Sequence, residues 1–311
     1  MPIRFSVEAS GFDLMNAASR QGRLDRMALG DLASAAEAAG IDRLVLADPD
    51  GGQDLATLAA WIVHSTSSLG VEIEHRAGSI EPEIAARQIA TLDQLSGGRL
   101  TVRVTPPTGE GLSHEESFAR LDENLVLLKR LWSNDSPIDH EGRYFRLKAA
   151  FSAAKPFNGA SVSLAVGGVS GTALQVAARH ADVFILPALG VDEASQTIER
   201  VRSAATAYGR RKTIRFVLPV GVANTQGEHA PAAVALPSGT PARIAWFLGA
   251  YLDAGVTDFI ATGLRSASEL AAFDAKVVRQ AHAAHGEQDD ARRLGSPAAN
   301  VLVGQWSRHS R

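Results

Sequence analysis

The chain has no cysteine among its 311 residues. That excludes disulfides, thiol nucleophiles and cysteine-ligated zinc in one step. It also lacks an excess of either charge: 31 Lys and Arg stand against 34 Asp and Glu, a formal net charge of −3. Electrostatic gripping of nucleic acid or of an anionic membrane needs a basic surplus that is not here. No apolar run is long enough to cross a bilayer. The opening MPIRFSVEAS has no charged segment leading into an apolar signal core, so a cytoplasmic protein is expected. No His/Asp/Glu spacing matches a metal site, no G-x-S-x-G or other nucleophile motif occurs, and no short repeat is visible. What remains is ordinary: 45% hydrophobic and 21% charged residues, the balance of a globular protein. The length suits one large domain or two small ones, and (β/α)8 barrels take about 250 residues.

The most informative stretch is Ser161–Leu186, SVSLAVGGVSGTALQVAARHADVFIL. Val162–Val166 is a short β-rich apolar run. Gly167-Gly168-Val169-Ser170-Gly171-Thr172 is a glycine-rich turn carrying two hydroxyls. Ala173–His180 has helical composition, and Asp182–Leu186 is apolar again. Strand, glycine turn, helix and strand make a βαβ unit. Free backbone N–H groups and the positive end of the helix dipole at such a turn suit a phosphate. The competing reading is a tight turn that needs glycine for its backbone angles alone.

The rest of the chain alternates in the same way. Strands are expected to begin near Ile3, Asp42, Val71, Leu100, Val162, Asp182, Ile214 and Asp258. Helices are expected over Asp25–Ala39, Asp54–Ser65, Pro82–Leu95, from Ser113 to Trp132, Asp192–Tyr208, from Thr240 to Gly255 and from Ser266 to about His285. Pro82 and Pro241 suit first helical positions. Ser113/Glu116 and Ser266/Glu269 have capping-box spacing. Pro137–Leu147 reads as a small excursion around a Glu141-Gly142 turn, and Asn224–Ser238 as a loop. Alternating strands and helices predict a parallel sheet. Eight such units predict a closed (β/α)8 TIM barrel over residues 1–285, followed by a polar tail over 286–311.

Several separated segments resemble the bacterial-luciferase-like superfamily, in particular its alkanesulfonate monooxygenase branch. Ala85–Arg99, AARQIATLDQLSGGR, is similar to the family's "AARQAATLDRLSGGR" helix. His140–Leu147, HEGRYFRL, looks like its "F-x-G-x-x-Y/F" insertion. Gly167–Asp182 resembles its "GGSS" phosphate turn and helix, and Gly239–Ile260 its "GTPE.VA..L.EY.DAGVD.FI" segment. The resemblance implies reduced FMN, or a deazaflavin, at the C-terminal mouth of the barrel. It implies oxygen-dependent oxidation of a small organic substrate in the FMN branch, with a partner flavin reductase; a homo-oligomer is also expected. A deazaflavin-dependent hydride-transfer enzyme and a non-catalytic flavin-binding barrel stay open as alternatives. By the same resemblance Gly167, Gly168, Val169, Ser170 and Thr172 hold the phosphate. Gly78-Ser79 falls where members carry a non-prolyl cis peptide against the flavin ring.

Several individual side chains fit a functional role and a blander one. Arg76, at the end of the third strand, matches an arginine of the sulfonate enzymes and suits an anionic substrate or a flavin oxygen. The alternative is an ion pair with Glu72, Glu74 or Glu81. His114 resembles the histidine of the family's "H-x-E-R-Y", although Ser117 and Phe118 replace the Arg-Tyr. Arg103 reads as a contact to the flavin or its phosphate, or else as a solvated charge. Asp48 and Asp50 fit Asx turns better than acid/base roles, and His180 fits a helix C-terminus. The sequence departs from the sulfonate enzymes at Pro219 and Gly221, where they carry Arg and His, at Gly52 and Leu264, and in a shortened insertion after the seventh strand.

Overall fold

The computed structural model describes residues 3–9, 24–47, 53–109, 111–159, 161–210, 213–222, 233–237 and 240–283. In chain order the first half contains β1 (Arg4–Glu8), α1 (Arg26–Ala38), β2 (Arg43–Leu46), α2 (Leu55–Ser65), β3 (Gly70–Arg76), α3 (Pro82–Ser96), β4 (Leu100–Thr105) and α4 (His114–Ser133). A hairpin follows, β5 (Ile138–Glu141) and β6 (Arg146–Ala150). Then come β7 (Ser163–Gly167), α5 (Gly171–His180), β8 (Val183–Ile185), α6 (Val191–Ala207), β9 (Arg215–Gly221), β10 (Val234–Ala235), α7 (Pro241–Asp253), β11 (Asp258–Thr262) and α8 (Ala267–Phe273). The expected tail and the Asp48–Asp50 turn lie outside the described residues.

Eight strands close a parallel ring in the order β1-β2-β3-β4-β7-β8-β9-β11 and back to β1. The expected barrel is therefore present, and each strand begins within one residue of its expected start. Two features go beyond that reading. The stretch read as a loop after the seventh barrel strand contains β10, which pairs in parallel with Val220 and Gly221. The last helix passes into a π-helical turn at Asp274–Val278.

Strand alternation sorts the side chains. Phe5, Val7, Leu44, Ile73, Val102, Leu164, Phe184, Phe216 and Phe259 point outward into one core shared with the helices. Burying a large apolar side chain contributes roughly 2–3 kcal/mol, so this layer carries most of the fold's stabilisation. The barrel interior holds a smaller apolar set, Val45, Ala165, Val183, Val217 and Ile260, among polar residues. Arg215 Nη1 donates to Asp258 Oδ1 at 2.8 Å near the N-terminal end.

Helix ends follow the sequence signals. Asp25, Asp54, Ser113, Ser170, Thr240 and Ser266 each accept a backbone N–H from the first turn. Gly97, at φ +65°, closes α3. The β5–β6 hairpin is antiparallel and docks on α4. Glu123 accepts from the backbone N–H groups of Tyr144 and Phe145 at 3.1 and 3.0 Å, and its Oε1 lies 2.9 Å from His140 Nε2.

Candidate active site

In a (β/α)8 barrel the C-terminal ends of the strands and the loops that follow them form the face where ligands bind. The glycine turn, His114, Arg76, Gly78 and Ser79 all lie at that face.

The turn between β7 and α5 has the geometry of an anion cradle. Gly168 sits at φ +141°, and a Cβ there would lie 2.6 Å from the Ala173 Cβ and 3.4 Å from the Phe118 ring, so a side chain would push the turn off α5. Gly171 has no atom within 4 Å of its Cβ position, which leaves the helix end open on that side. Ser170 is the N-cap: its Oγ accepts from Ala173 N at 3.1 Å, and its carbonyl accepts from Leu174 N at 3.0 Å. The first turn of α5 carries no acidic residue. The backbone N–H groups of Gly171 and Thr172 point outward, as the first donors of any helix do. Val169 is 72% exposed and offers its backbone rather than its side chain.

His114, the first residue of α4, reaches this turn. Its Nε2 lies 2.7 Å from Ser170 Oγ, and its ring is 4.7 Å from the Phe118 ring. Two successive helix N-termini thus meet at one point. That of α4 is already occupied by Glu116, which closes the capping box and is lowered in pKa chiefly by the Ser113 hydroxyl. The free donors belong to α5. Lower down, the same helices are tied again. Asp122 Oδ1 lies 2.8 Å from His180 Nε2, Asp122 Oδ2 accepts from Arg179 at 2.8 Å, and Lys129 donates to the His180 carbonyl at 2.9 Å. Burial favours the neutral His180, whose pKa falls despite Asp122. Its role is to fix α5 against α4.

The β3 exit differs from expectation. No cis peptide bond occurs among the described residues, so Gly78–Ser79 is trans. The chain reverses instead through a β-turn: Ser79 N donates to the Arg76 carbonyl at 3.0 Å, with Gly78 at φ +74° in the third position. A Cβ on Gly78 would lie 2.6 Å from Nη2 and 2.9 Å from Nε of Arg120. The guanidinium of Arg120 also lies over the Phe145 ring, 5.5 Å from its centroid. The hairpin therefore holds Arg120 against the turn. Arg120 was not singled out from sequence, because its contact with Gly78 is long-range and follows no motif.

Inside the barrel, Arg103 is not a solvated charge but is paired with Glu72. Its Nε and Nη2 both lie against Glu72 Oε1, at 2.8 and 2.7 Å, with the Glu72 side chain 3% exposed. Only Nη1 is left for a group above it. Arg76 is exposed and makes no ion pair with a described residue, so the anticipated pairing with Glu72, Glu74 or Glu81 does not form. Pro219 and Gly221 share the lumen-facing side of β9, in register with Ile260 and Thr262, and bring no side-chain donor to the mouth.

No group of three or more His, Cys, Asp or Glu that would hold a metal occurs among the described residues. No described helix is long and apolar enough to cross a membrane.

Comparison with solved structures agrees with this architecture. A long-chain alkane monooxygenase superposes with a TM-score of 0.74 at 17% identity, covering 95% of this chain and 92% of that one. An EDTA monooxygenase from Chelativorans sp. BNC1 gives the same TM-score and identity, over 91% and 94%. An F420-dependent secondary alcohol dehydrogenase gives 0.73 at 17% identity, over 90% and 99%. At these identities the likeness is one of fold. The sequence profile of one family matches residues 12–308, and on that match the chain belongs to the luciferase-like monooxygenase family.

Proposed function

We propose that this chain is a flavin-dependent oxidoreductase that binds reduced FMN at the barrel mouth and oxidises a small organic substrate with molecular oxygen. The observation that carries this reading is the meeting of His114 with Ser170 beside an acid-free helix N-terminus. Gly168 keeps the backbone close, Gly171 leaves the approach open, and a histidine adds a donor. This donor set fits a phosphate monoester.

In this reading the N–H groups of Gly171 and Thr172 and the hydroxyl of Ser170 bind the phosphate. His114 orients that hydroxyl. The Arg76–Ser79 turn backs the ring, held from outside by Arg120. The Glu72–Arg103 pair closes the barrel beneath and keeps bulk water from entering from below. Reduced flavin, once bound, supplies the electrons for the oxidation. A separate reductase delivering that flavin goes with this reading.

Anaerobic titration with reduced FMN, followed by exposure to oxygen, tests it. The expected result is saturable binding, with reoxidation kinetics that differ from those of free FMN. Binding of a deazaflavin but not of FMN would move the protein to the hydride-transfer chemistry suggested by the F420-dependent dehydrogenase fold. Binding of FMN with unchanged reoxidation would make it a flavin carrier.

A further inference from the structure

The C-terminal end of β3 carries two charged side chains on the lumen-facing side, and neither has an ionic partner among the described residues. The facing is fixed by register. Val45 of the inner apolar set pairs with Glu72, and Ala165 of the same set pairs with Arg103. Glu74 pairs with Arg103 and Arg76 with Thr105, so both share that face.

Glu74 stands beside Arg103 yet does not receive it. Arg103 leans toward the N-terminal end and gives its Nε and Nη2 to Glu72. Glu74 keeps a single hydrogen bond, from Thr105 Oγ1 at 3.2 Å, and it is only half-buried. One rung nearer the solvent, about 6.6 Å along the strand, Arg76 is exposed and unpaired. Thr105, one rung nearer the mouth, donates to Oε1 alone, and Glu74 Oε2 accepts no hydrogen bond from a described residue. A carboxylate and a guanidinium held apart on one wall match a ligand that offers both a cationic donor and an anionic acceptor.

We propose that Glu74 and Arg76 form a substrate-recognition pair for a small zwitterion. An amine of the ligand lies on Glu74 and its anionic group lies on Arg76. The inference deepens the flavin reading, because this wall faces the space where that reaction takes place, but it can be tested without flavin.

The test is calorimetric titration of the full chain with γ-aminobutyrate, butyrate and butylamine, with and without FMN. The expected result is that γ-aminobutyrate binds about tenfold or more tightly than either singly charged probe, the scale of one added charge-assisted hydrogen bond. Glu74→Gln keeps the shape and the Thr105 contact. It should lower γ-aminobutyrate to the level of butyrate, and Arg76→Gln should lower it to the level of butylamine. Equal binding of the three probes, or no binding of any, overturns the pair, and so does an unchanged preference in Glu74→Gln. Wild-type selectivity decides the matter even if a variant fails to fold. Zwitterion preference without FMN binding would sink the flavin reading and leave the pair standing; FMN binding without the preference would do the reverse.

Discussion

His114 Nε2 lies 2.7 Å from Ser170 Oγ and so joins the N-terminus of α4 to that of α5. Ser170 Oγ already accepts the Ala173 N–H. When His114 donates, the serine proton is free to turn toward an anion. When His114 accepts, that proton is taken. His114 therefore governs whether the N-cap hydroxyl acts as a donor.

The first prediction uses the difference between FMN and riboflavin, which isolates the phosphate. His114→Ala should weaken FMN about tenfold, the scale of one hydrogen bond to a charged group, and leave riboflavin unchanged. Ser170→Glu should remove FMN's advantage altogether, because it sets a carboxylate against the phosphate. Fluorescence titration of both flavins reads the outcome. Equal losses for the two flavins would show that these residues support the ring or the fold rather than the phosphate.

A second prediction concerns Gly78. Alanine there must adopt φ near +74° and place its Cβ 2.6 Å from Arg120 Nη2. A non-glycine residue in the left-handed region costs about 1–3 kcal/mol, and displacement of Arg120 from Phe145 adds to that. Urea unfolding should show Gly78→Ala destabilised by at least the first amount. In an Arg120→Ala background the same change should cost less, since only the backbone strain survives. Identical costs in the two backgrounds would mean that Arg120 yields freely and does not hold the turn.

Much of this fold was legible in the chain, for reasons that differ by element. Barrel strands such as Val162–Val166 announce themselves by local composition, and helices such as α4 by caps at Ser113 and Glu116. The glycine turn proposed to hold the phosphate was legible as a turn because all of its glycines and hydroxyls sit within six consecutive residues. The lumen wall was not. Whether Arg103 meets Glu72 or Glu74 depends on the register between β3 and β4 and on the lean of one side chain. Neither strand's own pattern carries that. The Arg120–Gly78 contact joins residues 42 positions apart, and the short β10 lies in a segment whose composition reads as loop. The cis peptide expected at Gly78–Ser79 came from resemblance alone, and a glycine turn makes the reversal in its place.

The third prediction is a pH dependence. Burial pushes the His75 pKa down to about 4, and its Nε2 is buried without a partner. The folded protein thus resists a proton that the unfolded chain accepts near the ordinary value of 6.5. Between those values the unfolded state binds more protons, so stability rises with pH across that window. The contribution is fully present above about pH 6.5 and is lost as pH falls to about 4, amounting to roughly 3 kcal/mol. Thermal melts of wild type and His75→Leu between pH 7.5 and about 4.5 check this. The variant should gain on the wild type as acid is added; parallel curves would show that His75 is protonated freely in the folded state.

The last prediction is that simple alkanesulfonates are poor substrates. Turning over such a compound requires the mouth to hold an anionic head group steadily while the oxidation proceeds above it. In the sulfonate enzymes that the sequence resembles, donors on the seventh barrel strand serve that need, whereas here the lumen-facing residues of β9 near its end are Pro219 and Gly221, neither with a side-chain donor. Arg103 cannot take over, because its Nε and Nη2 are committed to Glu72. Arg76 remains, but a sulfonate drawn to it meets the Glu74 carboxylate one rung below. Like charge at that separation opposes the anion rather than holding it. The loss of one donor that acts in the transition state costs about 10²–10³ in rate, so the absence of both at β9 is a large deficit for one exposed arginine to offset. Sulfite release should therefore stay near background when the protein, a flavin reductase and a series of C-sulfonates are combined. Glu74→Gln removes the opposing charge and should raise sulfonate binding without restoring turnover. Brisk sulfite release by the wild type would show that other residues supply the anion grip, and that Pro219 and Gly221 do not limit the chemistry.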